Sequence, residues 1–209
     1  MKLRLASALS SNLSVLLVGG LVAAGCSLKQ AAPVKTTFLI EAARTAPPRT
    51  VPATTTLRVR SIQVAEPFEG REFVYRKSEL NFESDFYHGF LVPPRALVTS
   101  QLRRWLEASG LFRAVLDPAS KADATYGLEG NVTAFYGDYQ KPAAPKAVLA
   151  IQLVLLHEQG VTPQIVFQRS YRQEVPLEGS GAEALAKGWS KALAQILAAL
   201  EGDLPVGKP

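Results

Sequence analysis

Short alternating or apolar runs along this chain predict strands over Thr36–Glu41 (around Phe38-Leu39-Ile40), Leu57–Ala65, Phe73–Arg76, Leu80–Glu83, Leu111–Leu116, Ala124–Tyr136, Ala147–Leu156 and Gln164–Val175. Within Leu57–Ala65 the alternation of Leu57 and Val59 with Arg58 and Arg60 resumes at Ile62 and Val64 after a shift of one residue, which suits a bulge. In Ala124–Tyr136 the period of two puts Tyr126, Leu128, Val132, Ala134 and Tyr136 on one face, with Gly130 as a gap. Ala147–Leu156 is almost wholly apolar and reads as a central strand covered on both faces. The next strand alternates Ile165, Phe167, Arg169 and Tyr171, so the two predict a hairpin.

Two stretches change to the helical period. Val98, Leu102, Trp105, Leu106 and Ser109 share one face, opposite Thr99, Arg103, Arg104 and Glu107. Pro94 suits the first turn and Gly110 the C-terminal end. Leu185, Trp189, Ala192, Ile196 and Leu200 form the second apolar stripe, preceded by Ser180-Gly181-Ala182-Glu183 with the spacing of a capping box. Pro47, Pro48 and Pro52 mark an extended linker, Glu66–Gly70 a turn, Asp85–His88 a polar-aromatic loop and Gly137–Lys146 a mobile loop. These elements predict a single α+β domain over 35–204, with a mixed, largely antiparallel sheet, two amphipathic helices on one face and a frayed tail at 205–209.

The first 25 residues have another character. Met1-Lys2-Leu3-Arg4 is a short positive end, Leu13–Val22 an apolar core and Ala24-Gly25 a small-residue site, which together make a secretory signal. The core, about 10 to 12 residues, is short of the roughly 20 that cross a bilayer. Leu21-Val22-Ala23-Ala24-Gly25-Cys26 resembles the lipobox of bacterial lipoproteins, although Ala23 stands where leucine is commonest. The resemblance implies that Cys26 becomes the first mature residue, bears lipid (palmitate among it) on sulfur and amine, and is followed by a flexible tether to residue 34. An uncleaved anchor helix and an ordinary buried thiol are the competing readings.

Composition narrows the chemistry. Removing the leader takes Lys2 and Arg4 off a formal charge of +5, leaving +3 with no basic block, which argues against nucleic acid. The chain has one cysteine, so it can form no internal disulfide. His88 and His157 are far apart and have no cysteine partners, a poor basis for a metal site. No phosphate loop and no Gly-x-Ser-x-Gly turn occurs. His88 could act as a base with Asp85, but a lone surface histidine is the simpler account. No cofactor and no enzyme activity are expected.

Tyr75-Arg76, Phe86-Tyr87, Pro93-Pro94 through Arg104-Trp105-Leu106, then Ser109-Gly110-Leu111-Phe112 and Val115 carry a resemblance to the auxiliary lipoproteins of ABC-type transport systems, the family that includes PqiC and accompanies MCE-domain proteins. Gly89-Phe90-Leu91 departs from the arginine-tryptophan-alanine-like run of many members. The resemblance implies an accessory component, not a catalyst. It would help an MCE-domain protein meet an inner-membrane permease and ATPase that move lipid between membranes. Ser27, with no aspartate retention signal, favours the periplasmic face of the outer membrane over that of the inner membrane. Phe86, Tyr87, Phe90, Arg103 and Arg104 are the candidate contacts for a partner or lipid. The simpler reading of the aromatic group, taken with Phe82, is a roof on the core, and of the arginines a solvated helix face. Self-association is left open, and a lipoprotein that itself binds an apolar ligand in a groove is the alternative function.

Overall fold

The computed structural model describes residues 34–49 and 53–206, so the leader, Cys26 and the tether up to residue 33 lie outside it. In chain order the elements are β1 (Thr36–Phe38), β2 (Thr56–Val59), β3 (Gln63–Val64), a 3-10 turn (Glu66–Phe68), β4 (Glu72–Arg76), β5 (Phe82–Phe90), α1 (Pro94–Ser109), β6 (Ala114–Leu116), β7 (Tyr126–Asp138), β8 (Lys146–His157), β9 (Gln164–Pro176) and α2 (Gly181–Asp203).

Strand β7 organises the sheet. One of its edges pairs antiparallel with β8 along its whole length, and β8 pairs antiparallel with β9 in the expected hairpin. The other edge is shared by three short parallel partners in series: β2 at Tyr126–Leu128, β3 at Asn131–Val132 and β4 at Gly137–Asp138. The run predicted as one bulged strand over Leu57–Ala65 is therefore two strands. The Arg60 amide still bonds to Leu128, but the Ile62 amide turns to the Thr99 hydroxyl on α1, 3.0 Å away. Beyond β2 lies β6, and beyond β4 lie β5 and then β1.

Both helices cover one face of this mixed sheet. The stripe Val98, Leu102, Trp105, Leu106 and Ser109 of α1 is buried, and the helix ends at Gly110 with φ of 70°. The stripe Leu185, Trp189, Ala192, Ile196 and Leu200 of α2 is likewise buried. Trp189 is fully enclosed, its rings pack against Phe73, Phe90 and Phe135, and its indole N–H donates to the Tyr136 and Val148 carbonyls at 3.2 Å. The capping box does not form: Ser180 makes no capping hydrogen bond, and Glu183 pairs with Lys187 at 2.7 Å.

A bulge between Val132 and Ala134 inserts Thr133 into β7 and reverses its side chains. Leu128 and Val132 are fully buried and share one face, as expected. Ala134 and Tyr136 do not share it: Phe135 takes the helix side, and Tyr136 packs on the opposite face against Phe68 and Phe82. Ala147–Ile151 is buried on both faces, and from Gln152 onward β8 alternates. Of the tail predicted to fray, Val206 is buried in the core, and 207–209 lie outside the described residues.

The linker is held by Arg44, which is bidentate to Glu201 on α2 at 2.8 and 2.9 Å, while Trp105 donates to the same carboxylate at 2.8 Å. The Arg44 hydrogen bonds hold the Glu201 carboxyl below its ordinary range against the opposing effect of burial, with Trp105 assisting.

A Cβ at Gly188 would lie 2.7 Å from the Ala147 Cβ, so only glycine lets α2 approach β8 this closely. Gly188→Ala is expected to cost about 1–3 kcal/mol by overpacking. Gly202→Ala, in the last turn where a Cβ meets nothing within 4 Å, should stabilise the domain by about 0.4–1 kcal/mol. Urea unfolding of the two variants checks the opposite signs.

Candidate contact surface on the fifth strand

The predicted polar-aromatic loop at Asp85–His88 is part of strand β5, which runs unbroken to Phe90. Its pairing with β4 contains a large irregularity. Ser84 faces Val74 and Gly89 faces Glu72, so Asp85, Phe86, Tyr87 and His88 lie opposite Phe73 alone. The extra residues arch out of the sheet edge. Gly89 brings the strand back: a Cβ there would sit 2.6 Å from the Arg71 carbonyl, the same oxygen that accepts the Phe90 amide at 2.7 Å.

Asp85 holds this arch. One carboxylate oxygen accepts the Tyr87 and His88 amides at 2.7 and 3.0 Å, satisfying two donors that the bulge withdraws from the ladder. The other oxygen accepts the Tyr75 hydroxyl at 2.5 Å and lies 2.8 Å from His88 Nδ1. Burial pushes the Asp85 carboxyl up, but the hydrogen bonds from Tyr75, Tyr87 and His88 outweigh it and hold the group below its ordinary value. Burial, then the bond to Asp85 and its negative charge, raise the Tyr75 phenol, which stays a neutral donor.

The clamp leaves two rings outside. Phe86 is 64% exposed and Tyr87 47%. Their centroids are 5.2 Å apart in an edge-to-face arrangement, and Lys35 Nζ lies 5.0 Å from the Phe86 centroid. Beside them is a shallow cavity of 190 Å³ whose lining includes Lys35, Thr36, Arg71, Glu72 and His88. Strand β1 pairs parallel with His88–Phe90, so the chain enters the domain next to the arch.

The five candidate contacts separate. Phe86 and Tyr87 share the arch. Phe90 does not reach the surface; it is 2% exposed and packs on Phe73, Phe135 and Trp189, because the bulge returns it to the core side. Arg103 lies within 3.7 Å of Glu107 on the outer side of α1, and Arg104 is exposed next to it; neither lines the cavity at the arch. The Tyr75–Asp85 clamp and the nearby Lys35 and Arg71 were missed by sequence reasoning. The usable signal was an aspartate two and three residues before a pair of amides, the spacing of a side-chain-stabilised turn.

Asp85 serves the arch structurally, holding two amides, a phenol and an imidazole. An Asp–His pair becomes catalytic beside a nucleophile, yet among the described residues the His88 ring makes its hydrogen bond to Asp85 alone. The described residues also hold no group of three or more metal-ligating side chains, and no helix long and apolar enough to cross a membrane.

The folded body is a single α+β domain with two helices on one side of a mixed sheet. The chain belongs to the family described as ABC-type transport auxiliary lipoprotein component, which matches residues 38–201. This is a family of transport accessory lipoproteins, not of enzymes. The fold is similar to that of protein XCC0632 from Xanthomonas campestris, at 21% identity and a TM-score of 0.68, covering 80% of this chain and 93% of that one. It is also similar to an uncharacterized protein at 17% identity and a TM-score of 0.64, covering 81% and 98%. A third similar structure is the hypothetical protein CT253 from Chlamydia trachomatis, at 11% identity and a TM-score of 0.50, covering 72% and 97%. No curated protein matches.

Asp85→Ala should destabilise the domain by about 1–3 kcal/mol, since it leaves the Tyr75 hydroxyl and two amides without their acceptor. Because the folded value of Asp85 is lowered, its contribution is complete above the ordinary aspartate value of 3.8 and fades as pH falls through the folded value. The stability gap between the native protein and Asp85→Ala, measured by urea unfolding across pH 2–7, should therefore close at the acid end.

Proposed function

We propose that this protein is a lipid-anchored accessory subunit of an ABC-type lipid transport system, in which it joins the transporter's periplasmic portion to a membrane. The observation that carries the reading is the family match across the folded body, from Phe38 in β1 to Glu201 in α2. The partner in this reading is an MCE-domain protein working with an inner-membrane permease and ATPase. The anchor is lipid on Cys26, with its lipobox-like approach, and Ser27 after it favours the periplasmic face of the outer membrane. Two or more acyl chains, at about 0.8 kcal/mol per buried methylene, would make the attachment effectively permanent. The role is positional: the domain hydrolyses nothing, and the energy comes from the ATPase.

The alternative, carriage of an apolar ligand in a groove, finds less support. A cavity of 520 Å³ between β3, β7 and β8 offers room and has Gly130 and Val154 on its wall, but Arg60, Gln63, Glu129, Asn131 and Gln152 stand around it and its mouth is open, so an acyl chain there would remain in contact with water and polar groups.

Cys26→Ser is expected to abolish acyl labelling and release the protein from membranes. Affinity purification of the lipidated protein from its own envelope should recover an MCE-domain protein and the transporter. Continued acylation of Cys26→Ser would contradict the anchor, and repeated purification without any transporter component would contradict the accessory role.

A further inference from the structure

We propose that the Phe86–Tyr87 arch is a membrane-contact element, which seats at the bilayer interface beside the lipidated N terminus and fixes the attitude of the domain. The inference rests on the anchor reading and names the occupant of the arch as a lipid surface.

The length of the tether makes the first argument. From Cys26 to Lys35 is nine residue steps, about 30 Å at full extension. A domain of this size is about 40 Å across. A lipid on Cys26 therefore always leaves the edge that contains Lys35 within reach of the bilayer, and keeps only the opposite side out of its reach. That edge is built from β1 against β5 at His88–Phe90, so the arch is the neighbouring protrusion.

The chemistry of the arch is the second argument. Aromatic rings with a polar tip or a nearby cation favour the headgroup layer, where one end is apolar and the other wet. Phe86 presents an apolar ring, Tyr87 a ring with a hydroxyl, and Lys35 stands over Phe86. Arg71 adds a second cation on the cavity wall, against the single exposed acid Glu72. Asp85, the other acid there, is turned inward with its side chain 11% exposed and is committed to Tyr75 and His88. Leu39, Leu91 and Val92 are further exposed apolar residues, at the other end of the β1–β5 pairing.

Rigidity is the third. Four hydrogen bonds to one carboxylate hold the arch, so the rings are presented in a fixed pose and little conformational freedom is lost on contact. With acyl chains supplying the affinity, such a contact sets orientation, not retention.

The test uses the full lipidated protein reconstituted into phosphatidylethanolamine–phosphatidylglycerol vesicles, with or without brominated acyl chains. Trp105 and Trp189 are both buried in the core, so an added indole is read as the difference from the native protein. In Phe86→Trp the added emission should be blue-shifted and quenched by the brominated lipid. In Val161→Trp, at the exposed tip of the β8–β9 hairpin, it should be neither. Flotation of the vesicles separates the two failures. A protein that does not float overturns the anchor reading and this inference together. A protein that floats while Phe86→Trp stays unquenched, or is quenched no more than Val161→Trp, overturns the membrane contact alone and returns the arch to a protein partner or a second copy.

Discussion

The close approach of α2 to β8 at Gly188 is the constraint from which the remaining packing follows. With no side chain there, the helix settles onto Ala147, and the next residue, Trp189, drives its indole between Phe73, Phe90 and Phe135. Those three rings belong to β4, β5 and β7, and the indole N–H is shared by carbonyls of β7 and β8. One side chain thus joins four strands to a helix, and satisfies two carbonyl groups in the core while doing so. The base of β5 is fixed through Phe90, and a rigid base is what allows the residues before it to arch outward without slipping in register.

The helices were legible because their signals agree. A 3.6-residue apolar stripe, a proline at the start and a glycine at the end of α1 all point to the same boundaries, and Gly110 sits in the left-handed region that the sequence requires. The β8–β9 hairpin was legible for a similar reason, since an unbroken apolar run and an alternating run flank a short turn. What stayed hidden was phase. Thr133 adds one residue to β7, so a reading of strict alternation assigns Ala134 and Tyr136 to the wrong face. Strand β5 was cut short because neither of its faces is continuously buried: Phe82 to Ser84 are exposed and Asp85–His88 bulge, so no period of two survives. The capping box failed at its first residues: Gly181 takes a φ of 83°, outside the helical region, Ser180 makes no capping bond, and Glu183 pairs with Lys187 one turn along the helix.

The candidate surface was half legible for the same reason. Four aromatics within nine residues announced a special stretch, yet which of them face outward depends on how many residues the bulge adds. Phe86 and Tyr87 are outside and Phe90 inside because the bulge takes up Asp85–His88, with Asp85 accepting two of their amides and, from the neighbouring strand, the Tyr75 hydroxyl. The arginine pair on α1 showed the opposite case: Arg103 and Arg104 lie on the polar side that the helical period assigns them, away from the arch.

How the N-terminal strand is fastened has a mechanical meaning. Any tension arriving through residue 34 meets β1 first, three residues in parallel register with β5, a joint that gives way easily. Behind it stand Ile40, plugged into the core, and then the fork of Arg44 on Glu201. A pull on this end would have to unseat Ile40 and break the Arg44 fork on α2 before it could act on the central strands.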